Sequence, residues 1–296
     1  MHLKGSDAMF RSPSGFALGH YALEEPLGAG GMGVVFSARD TRTDQRVALK
    51  VLNPGRLDLR ARARARETAR TLLGVAHPNI VRVYDFGTHG DLDYVVMEHV
   101  GGKSLATMMA EGRMPQGQVI RLGAQLARGL AAAHDVGVIH RDIKPGNVRV
   151  PTDWTLKIMD FGVSAFRWQA RKPGAPSPSE LLPALAGSVL YMAPERLLGF
   201  PADQRSDIFS AGAVLYEMAF GYPLVSGMDP VQTIHAILTA RRTGLPAGSA
   251  AVAPELAQVI QRALHREPER RFPRAADMAA ALESISPASS PPKSAD

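Results

Sequence analysis

The sequence contains no cysteine, and this absence excludes several kinds of chemistry. Disulfide bonds, thiolate metal ligands and a thiol nucleophile all require that side chain. Aromatic residues make up only 6% of the 296 residues. No uncharged apolar stretch approaches the ~18 residues of a membrane-spanning helix, and residues 1–19 lack the apolar run of a signal peptide. We therefore expect a soluble, cytoplasmic chain, or the cytosolic domain of a larger or membrane-anchored protein.

The charge is basic, with a net value of +6 and a pI of about 9.8, while 45% of the residues are apolar. The apolar content is sufficient for a buried core. The charge would suit nucleic acid, an anionic membrane or a polyphosphate ligand with acidic partners, and does not choose among them. The densest basic run lies in one predicted helix and comprises Arg60, Arg62, Arg64, Arg66 and Arg70. A solvated helix face is one interpretation of this run, and a phosphoserine dock is the other.

Polar residues of metal-binding type flank a short apolar hairpin. Residues 140–147 read His-Arg-Asp-Ile-Lys-Pro-Gly-Asn, and residues 160–162 read Asp-Phe-Gly. Between them, Val148 and Val150 predict one strand, Leu156 and Ile158 its partner, and 151–154 the turn. This hairpin would return Asp160 beside Asn147. An amide oxygen and a carboxylate in one place suit Mg²⁺, a cation that shares its oxygen ligands with phosphates.

A glycine-rich turn lies between two strands predicted earlier in the chain. Residues 28–33 match the pattern G-x-G-x-x-G, and a strand follows them rather than the helix that a Rossmann turn would require. Residues 47–50, Val-Ala-Leu-Lys, form the end of the next predicted strand. The order of these segments over about 260 residues resembles the protein kinase family, and most closely its eukaryotic-like bacterial Ser/Thr members.

The resemblance implies an α+β, two-lobed fold. We expect a five-stranded antiparallel N-terminal lobe with one helix, at 20–98, a hinge at 98–102, and a mainly helical C-terminal lobe at 103–285. Residues 1–19 are predicted to be a flexible leader, and the Ser/Pro-rich residues 286–296 a disordered tail.

The resemblance also assigns roles to the residues of the site. Asp142 would be the base that accepts the proton of a protein hydroxyl, and Lys144 would neutralise the moving phosphoryl group and favour Ser and Thr as acceptors. Asn147 and Asp160 would bind Mg²⁺, with Mn²⁺ as the alternative. Lys50 would contact the α- and β-phosphates of ATP. The remaining nucleotide-binding positions are Gly28, Ala29, Gly30, Gly33, Val35, Ala48, and, in the hinge, Glu98 and Val100.

The chain departs from the family at the helix after Lys50. In kinases a glutamate of this helix holds the lysine, and it typically stands nine residues before the histidine of the His-Pro-Asn-Ile turn. Here Glu67 stands ten residues before His77, and Thr68 occupies the expected place. The shift corresponds to a rotation of about 100° on a helix, so whether Glu67 pairs with Lys50 stays open.

Residues 163–192 correspond to the activation segment, which contains no threonine. We expect autophosphorylation there, through self-association, at one of Ser164, Ser177 and Ser179, with Arg141 gripping the added phosphate.

Further positions would support the site without taking part in the reaction. By resemblance, Ser188 bridges Asp142 and Lys144, and His140 packs under Phe161. The last expected contacts are a pairing of Glu195 with Arg271, for which Arg270 is a rival, and backbone bonds from the catalytic loop to Asp207.

Three alternatives belong to other functional classes. A pseudokinase would keep the fold as a nucleotide-binding or scaffolding module, and the displaced Glu67 favours it. A small-molecule phosphotransferase would typically lack Lys144 and the Ala-Pro-Glu sequence at 193–195. A nucleic-acid module would show strong, salt-dependent binding through the arginine run, and we expect no such partner.

Overall fold

The computed structural model describes residues 15–30, 33–52, 59–161, 188–225, 230–239 and 252–285. Its N-terminal lobe contains a six-stranded antiparallel sheet in the order β1-β2-β3-β4-β6-β5. The strands are β1 (Ala17–Leu18), β2 (Tyr21–Gly30), β3 (Gly33–Asp40), β4 (Arg46–Leu52), β5 (Val83–His89) and β6 (Leu92–Glu98).

The strand count corrects the prediction of five strands and of a flexible leader that reaches residue 19. Ala17 and Leu18 pair with Ala22 and Tyr21, which adds β1 to the edge of the sheet. Leu18 is 2% exposed and belongs to the apolar cluster on the outer face of the sheet. A strand of two residues is too short to show the periodic pattern from which strands are predicted.

The side chains of strand β4 alternate between the two faces of the N-terminal sheet. Val47, Leu49 and Val51 point into the outer apolar cluster, whereas Ala48 belongs to the larger core that continues into the C-terminal lobe. Because side chains alternate along a strand, Lys50 lies on the same face as Ala48. This alternation directs the lysine toward the space between the lobes.

The helix predicted to begin near Arg60 is present as α1 (Leu59–Leu73). Ala65, Ala69 and Leu72 are its buried residues, and the helix packs against β5. These three positions are spaced four and three residues apart, which places them on one face of the helix. The apolar stripe is narrow, so the arginines occupy most of the remaining circumference.

The C-terminal lobe is mainly helical, as predicted. Its helices are α2 (Leu105–Ala110), α3 (Gln116–Asp135), α4 (Pro194–Leu197), α5 (Gln204–Phe220), α6 (Pro230–Thr239), α7 (Pro254–Ala263) and α8 (Ala275–Glu283). Helix α3 is the scaffold, because Leu122, Leu126 and Leu130 are fully buried at four-residue steps and the helix packs against α5 and α8. No helix in the described ranges combines the length and apolarity needed to cross a membrane.

The predicted hairpin is part of a small three-stranded sheet in the order β7 (Lys103–Ser104), β8 (Val148–Val150) and β9 (Lys157–Ile158). A turn closed by a hydrogen bond from the Trp154 N–H to the Pro151 carbonyl connects β8 and β9. The two lobes meet at β9, where the Val81 N–H donates to the Ile158 carbonyl and the Ile158 N–H donates to the Asn79 carbonyl. The predicted two-lobed α+β fold is thus confirmed.

Candidate active site

The loop at residues 140–147 is held by one buried carboxylate on helix α5. Asp207, 1% exposed, accepts the backbone N–H of His140 at Oδ2 and that of Arg141 at Oδ1, both at 2.8 Å. The His134 Nε2 lies 2.9 Å from Oδ2. Burial alone would raise the pKa of Asp207, but the hydrogen bond and charge of His134 and the loop contacts lower it below its ordinary value. The expected role of Asp207 as the anchor of this loop is confirmed.

The imidazole of His140 packs inside the site and does not face a substrate. Its Nδ1 accepts the N–H of Asp142 at 3.2 Å, which makes Nε2 the protonated nitrogen that donates to the Met159 carbonyl at 2.7 Å. The ring lies edge-on to Phe161, with 4.6 Å between centroids. His140 therefore has the predicted structural role beneath Phe161.

Lys144 and Asn147 contact Asp142, and Ser188 contacts Lys144. Lys144 Nζ lies 2.8 Å from Asp142 Oδ2 and donates to Ser188 Oγ at 2.8 Å. The Asn147 amide donates one bond to the Asp142 carbonyl oxygen at 2.8 Å and another to Oδ2 at 3.0 Å. The predicted contact of Ser188 with Lys144 is confirmed. These contacts fix the orientation of the carboxylate without covering it, since Asp142 keeps 15% of its side chain exposed.

The hairpin brings the two predicted metal ligands to one end of the small sheet. The Met159 N–H donates to the Asn147 carbonyl at 2.8 Å, so residue 160 begins beside residue 147. Asp160 has a φ of 60° and Arg141 a φ of 70°, a left-handed conformation that is rare for residues other than glycine. Strained backbone of this kind concentrates at functional sites. The sequence carried no signal for either conformation.

Lys50 pairs with Asp160 and not with Glu67. Lys50 Nζ lies 2.7 Å from Asp160 Oδ1, and the lysine is 6% exposed. Burial would raise the pKa of Asp160, but the charge and hydrogen bond of Lys50 lower it below its ordinary value. Glu67 is exposed on the outer face of α1. The structure thus resolves the question that the sequence left open.

Small side chains occupy the helix face opposite Lys50. Ala65 and Ala69 line a small open cavity together with Lys50, Asp160 and Phe161. An acidic residue on that face would meet the lysine, but the chain has alanine there. The one-residue displacement of Glu67 that the sequence shows is therefore not corrected by a local bulge in α1.

The predicted nucleotide-binding positions lie on β2, β3, β4, the last residue of β6 and the segment after it. Val35 is opposite Lys50, and Ala48 is opposite Met97 in the strand register. Gly28, Ala29 and Gly30 pair with Val35, Val34 and Gly33. Val100 packs against the large core, and the carboxylate of Glu98 binds Lys157 at 2.9 Å, which leaves the backbone of the hinge as the part able to recognise a base. The contacts of these positions with a nucleotide stay predictions.

Position 33 requires glycine for a reason that is independent of phosphate binding. Its φ is 152°, and a Cβ at this position would lie 1.9 Å from the backbone oxygen of Val51. Any other residue would force β3 away from β4. At Gly28, by contrast, a Cβ would meet nothing within 4 Å, which is the open space expected of a loop that covers a ligand.

The expected pairing of Glu195 with Arg271 is confirmed as a two-pronged ion pair. Arg271 Nη1 and Nη2 donate to Glu195 Oε1 and Oε2, each at 2.8 Å, and Arg271 is 1% exposed. Ser206 Oγ also donates to the carboxylate at 2.7 Å. Arg270, the rival candidate, pairs instead with Glu267 on the surface.

Two charged groups of the site region were missed by the sequence analysis. Asp93 is fully buried in β6 and binds Arg62 of α1, although its position had predicted only the start of a strand. Tyr191 donates to Glu217 at 2.6 Å, and burial raises the pKa of Glu217. An acidic residue within an apolar strand is a signal for a buried ion pair, but the partner cannot be found from spacing alone. Ser164, Ser177 and Ser179 lie outside the described residues.

The oxygen donors near Asp142 fit a divalent metal ion. Within the described ranges no group of three or more acidic or histidine side chains could hold one. Both hydrogens of the Asn147 side-chain amide donate to Asp142, so the side-chain oxygen Oδ1 of Asn147 is the atom left to coordinate a metal. With the Asp160 carboxylate, this gives two hard oxygen donors. Such a pair fits Mg²⁺, which takes one or two carboxylates or carbonyls and completes its shell with phosphate oxygens and water.

Comparisons with known proteins agree with this site. The family model for the protein kinase domain matches residues 21–282. A probable serine/threonine-protein kinase of Clostridium acetobutylicum is 34% identical over 269 residues, which cover 90% of this chain and 40% of that protein. Serine/threonine-protein kinase PknB of Mycobacterium tuberculosis is 37% identical over 279 residues, covering 88% of this chain and 42% of PknB. The chain thus spans about two fifths of the length of these curated relatives.

A solved kinase domain has a similar fold. The crystal structure of the Mycobacterium tuberculosis PknI kinase domain matches with a TM-score of 0.70 at 26% identity, covering 91% of this chain and 98% of that domain. The motif order, the assembled site and these matches agree with one another. The chain belongs to the protein kinase family, and the relatives it matches are bacterial serine/threonine kinases.

Proposed function

We propose that this domain transfers the γ-phosphate of ATP to a serine or threonine hydroxyl of a protein. The observation that carries the proposal is the arrangement of Asp142, whose carboxylate is oriented by Lys144 and Asn147 in a loop anchored by Asp207. A base held this rigidly can orient a hydroxyl before the reaction, and positioning is a large part of phosphoryl transfer.

The reaction assigns one task to each residue around the acceptor. Asp142 accepts the hydroxyl proton as the oxygen of the acceptor bonds to the γ-phosphorus and the bond to the β-phosphate oxygen of the leaving ADP breaks. Lys144, 2.8 Å from Asp142, lies where it can neutralise charge on the transferred group. Its bond to Ser188 ties the catalytic loop to the segment that precedes α4.

Asn147 and Asp160 would hold the divalent cation, with Mg²⁺ as our first choice and Mn²⁺ as the alternative. When bound, the cation would neutralise the phosphate oxygens and align the leaving group. Lys50 binds the same carboxylate as the cation would, so it is placed to reach a phosphate bridged to that site. The family likeness supports ATP and a divalent metal in general, and the assignment to these two side chains is ours.

The nucleotide would bind between β2, β3, β4 and the hinge. Gly28, Ala29, Gly30 and Gly33 would cover the phosphates, Val35 and Ala48 the base, and the backbone of Glu98 and Val100 would pair with its edge. The use of ATP places the activity inside a cell. The curated relatives are named as protein kinases, which supports protein hydroxyls as the acceptors.

The test is transfer of the γ-phosphate from labelled ATP to a generic basic protein, with Mg²⁺ present. Asp142→Asn should lower kcat by about 10²-fold or more, the usual contribution of a positioned base. Asp135→Asn, an exposed aspartate at the end of α3, is the matched control and should match the wild type. Equal transfer by the Asp142→Asn variant would refute the assignment.

A pseudokinase is the second candidate, because the ion pair between Lys50 and Glu67 is absent in the described part of the chain. It predicts that ATP binds and raises the melting temperature while no phosphate is transferred. The transfer assay and a nucleotide-dependent thermal shift on the same sample separate the two candidates.

A further inference from the structure

Helix α1 is attached to the β5–β6 hairpin by a group that we call the Asp93 clamp, formed by the buried Asp93 with Arg62, Arg66 and Thr88. Asp93 Oδ2 accepts Arg62 Nε at 2.7 Å, and Oδ1 accepts Thr88 Oγ1 at 2.8 Å and Arg66 Nη2 at 3.4 Å. Arg62 Nη2 also donates to the backbone oxygen of Asp91 at 3.0 Å. Both oxygens of the carboxylate are therefore engaged by α1.

The carboxylate of the clamp is charged and inaccessible to water. The Asp93 side chain has no exposed surface. Burial alone would raise its pKa, but the hydrogen bonds of Arg62 and Thr88 and the charges of both arginines lower it below the ordinary value. An ionised carboxylate in this setting is stable only while its partners stay in place. The clamp thus connects the position of α1 to a buried charge.

Arg62 and Arg66 are four residues apart and lie on one side of α1. Holding that side of the helix in place also fixes the directions in which its other sides face. Ala65 and Ala69 then face the cavity that contains Lys50 and Asp160. Glu67 lies two residues from Ala65, about 200° around the helix, which agrees with its exposure. The clamp therefore fixes the orientation of α1 about its axis, and this orientation determines which side chains face Lys50.

We propose that Asp93 is a positioning residue for phosphoryl transfer, which holds α1 against the Lys50–Asp160 pair in place of a lysine–glutamate bond. Lys50 in the described structure has no partner on α1, so nothing from the lysine itself orients this helix. The clamp supplies the orientation from β6, where Asp93 lies on the same face of the sheet as Val95, the strand partner of Lys50. The inference rests on the proposed kinase function.

The first test is Asp93→Asn, which keeps the shape of the side chain and removes its charge. At a temperature where circular dichroism shows the variant folded, kcat should fall by at least about ten-fold, since small displacements at a reacting site have effects of this size. The matched control is Asp91→Asn, on the same hairpin, because Asp91 is exposed and its hydrogen bond with Arg62 uses the backbone oxygen, which the substitution keeps. The control should retain the wild-type kcat. A wild-type kcat in folded Asp93→Asn would overturn the inference.

The second test separates positioning from a general loss of stability. Thr68→Glu introduces a carboxylate at the half-buried position where the family has its glutamate. In the Asp93→Asn background it should recover kcat while the melting temperature stays at the value of Asp93→Asn. A melting temperature and kcat that change only in parallel would show that Asp93 is merely structural.

A third variant covers the case in which Asp93→Asn does not fold. Arg62→Gln removes one of the two arginines that bind the Asp93 carboxylate. Like Asp93→Asn, it should lower kcat. An unchanged kcat in Arg62→Gln would also count against the inference. If the wild type transfers no phosphate, the proposed function fails; if it transfers phosphate and the clamp variants do so equally well, only this inference fails.

Discussion

Lys50 and Asp160 form an ion pair 2.7 Å long across the space between the lobes, and each is the nearest charged partner of the other in the described site. The same carboxylate is one of the two oxygen donors that we assign to the metal. A cation that binds Asp160 must therefore share this carboxylate with the Lys50 ammonium. The pair connects nucleotide binding to metal binding through a single side chain.

Replacement of the lysine should be visible in the titration of Asp160. Because Lys50 is the strongest influence that lowers the pKa of Asp160, Lys50→Met should raise that pKa. The carboxylate would then take up its proton at a higher pH than in the wild type. Carboxyl carbon NMR of the metal-free protein measures this directly. An unchanged Asp160 titration in Lys50→Met would contradict the pairing.

Glu67→Ala should have little effect on catalysis or stability. Glu67 is exposed and has no contact with Lys50, so kcat and the KM for ATP should stay within about two-fold and stability within about 0.5 kcal/mol. Steady-state kinetics and urea unfolding provide both values. A loss of ten-fold or more in kcat would mean that α1 rotates during the reaction to bring Glu67 to the lysine.

Arg271→Ala should destabilise the fold by about 3–5 kcal/mol, since it leaves the buried carboxylate of Glu195 without its partner. The adjacent Arg270 is the matched control, because its ion pair with Glu267 is on the surface and Arg270→Ala should cost at most about 0.5 kcal/mol. Urea unfolding of both variants measures the difference. Similar losses of unfolding free energy in the two variants would contradict the assignment of Arg271 as the buried partner of Glu195.

The acid stability of the domain should depend on Asp207. Its pKa is lowered in the folded state, so its contribution is present above the unfolded carboxyl pKa of about 4 and is lost as the pH falls through the folded value. Asp207→Asn should cost about 3 kcal/mol at neutral pH and reduce the decline of stability in acid. Unfolding free energies from pH 7 down to about pH 3 test this. An acid limb as steep as that of the wild type would argue against the lowered pKa.

Autophosphorylation should occur on the segment at 163–192, with Ser164, Ser177 and Ser179 as the candidate acceptors. Mass spectrometry after incubation with ATP and Mg²⁺ should find at least one of them modified, and Asp142→Asn should leave all three bare. A dependence of the initial rate on protein concentration would support transfer between two copies. A fully active sample with all three serines unmodified would refute the hypothesis.

Much of the site could be predicted from local sequence, because the chemistry is concentrated in short contiguous segments. Residues 140–147 and 160–162 contain the base, the lysine and both metal donors that we propose, and the hairpin predicted between the two segments already placed Asn147 near Asp160. Ser188, Arg271 and Asp207 were also placed correctly, since the likeness to a known family assigned each of them a partner. The atoms and distances of their hydrogen bonds came only from the structure.

The sequence by itself determined which residues are present for phosphoryl transfer and in which order. It also showed that Glu67 is one position out of place, a fact of counting that needs no coordinates. Only the tertiary structure decided what Lys50 binds instead and what orients α1. Both answers depend on residues distant in the chain, Asp160 for the lysine and Asp93 for the helix, which become neighbours only when the sheet, the helix and the lobes pack together. Charges meet by burial and packing, and sequence spacing carries no information on contacts of that kind.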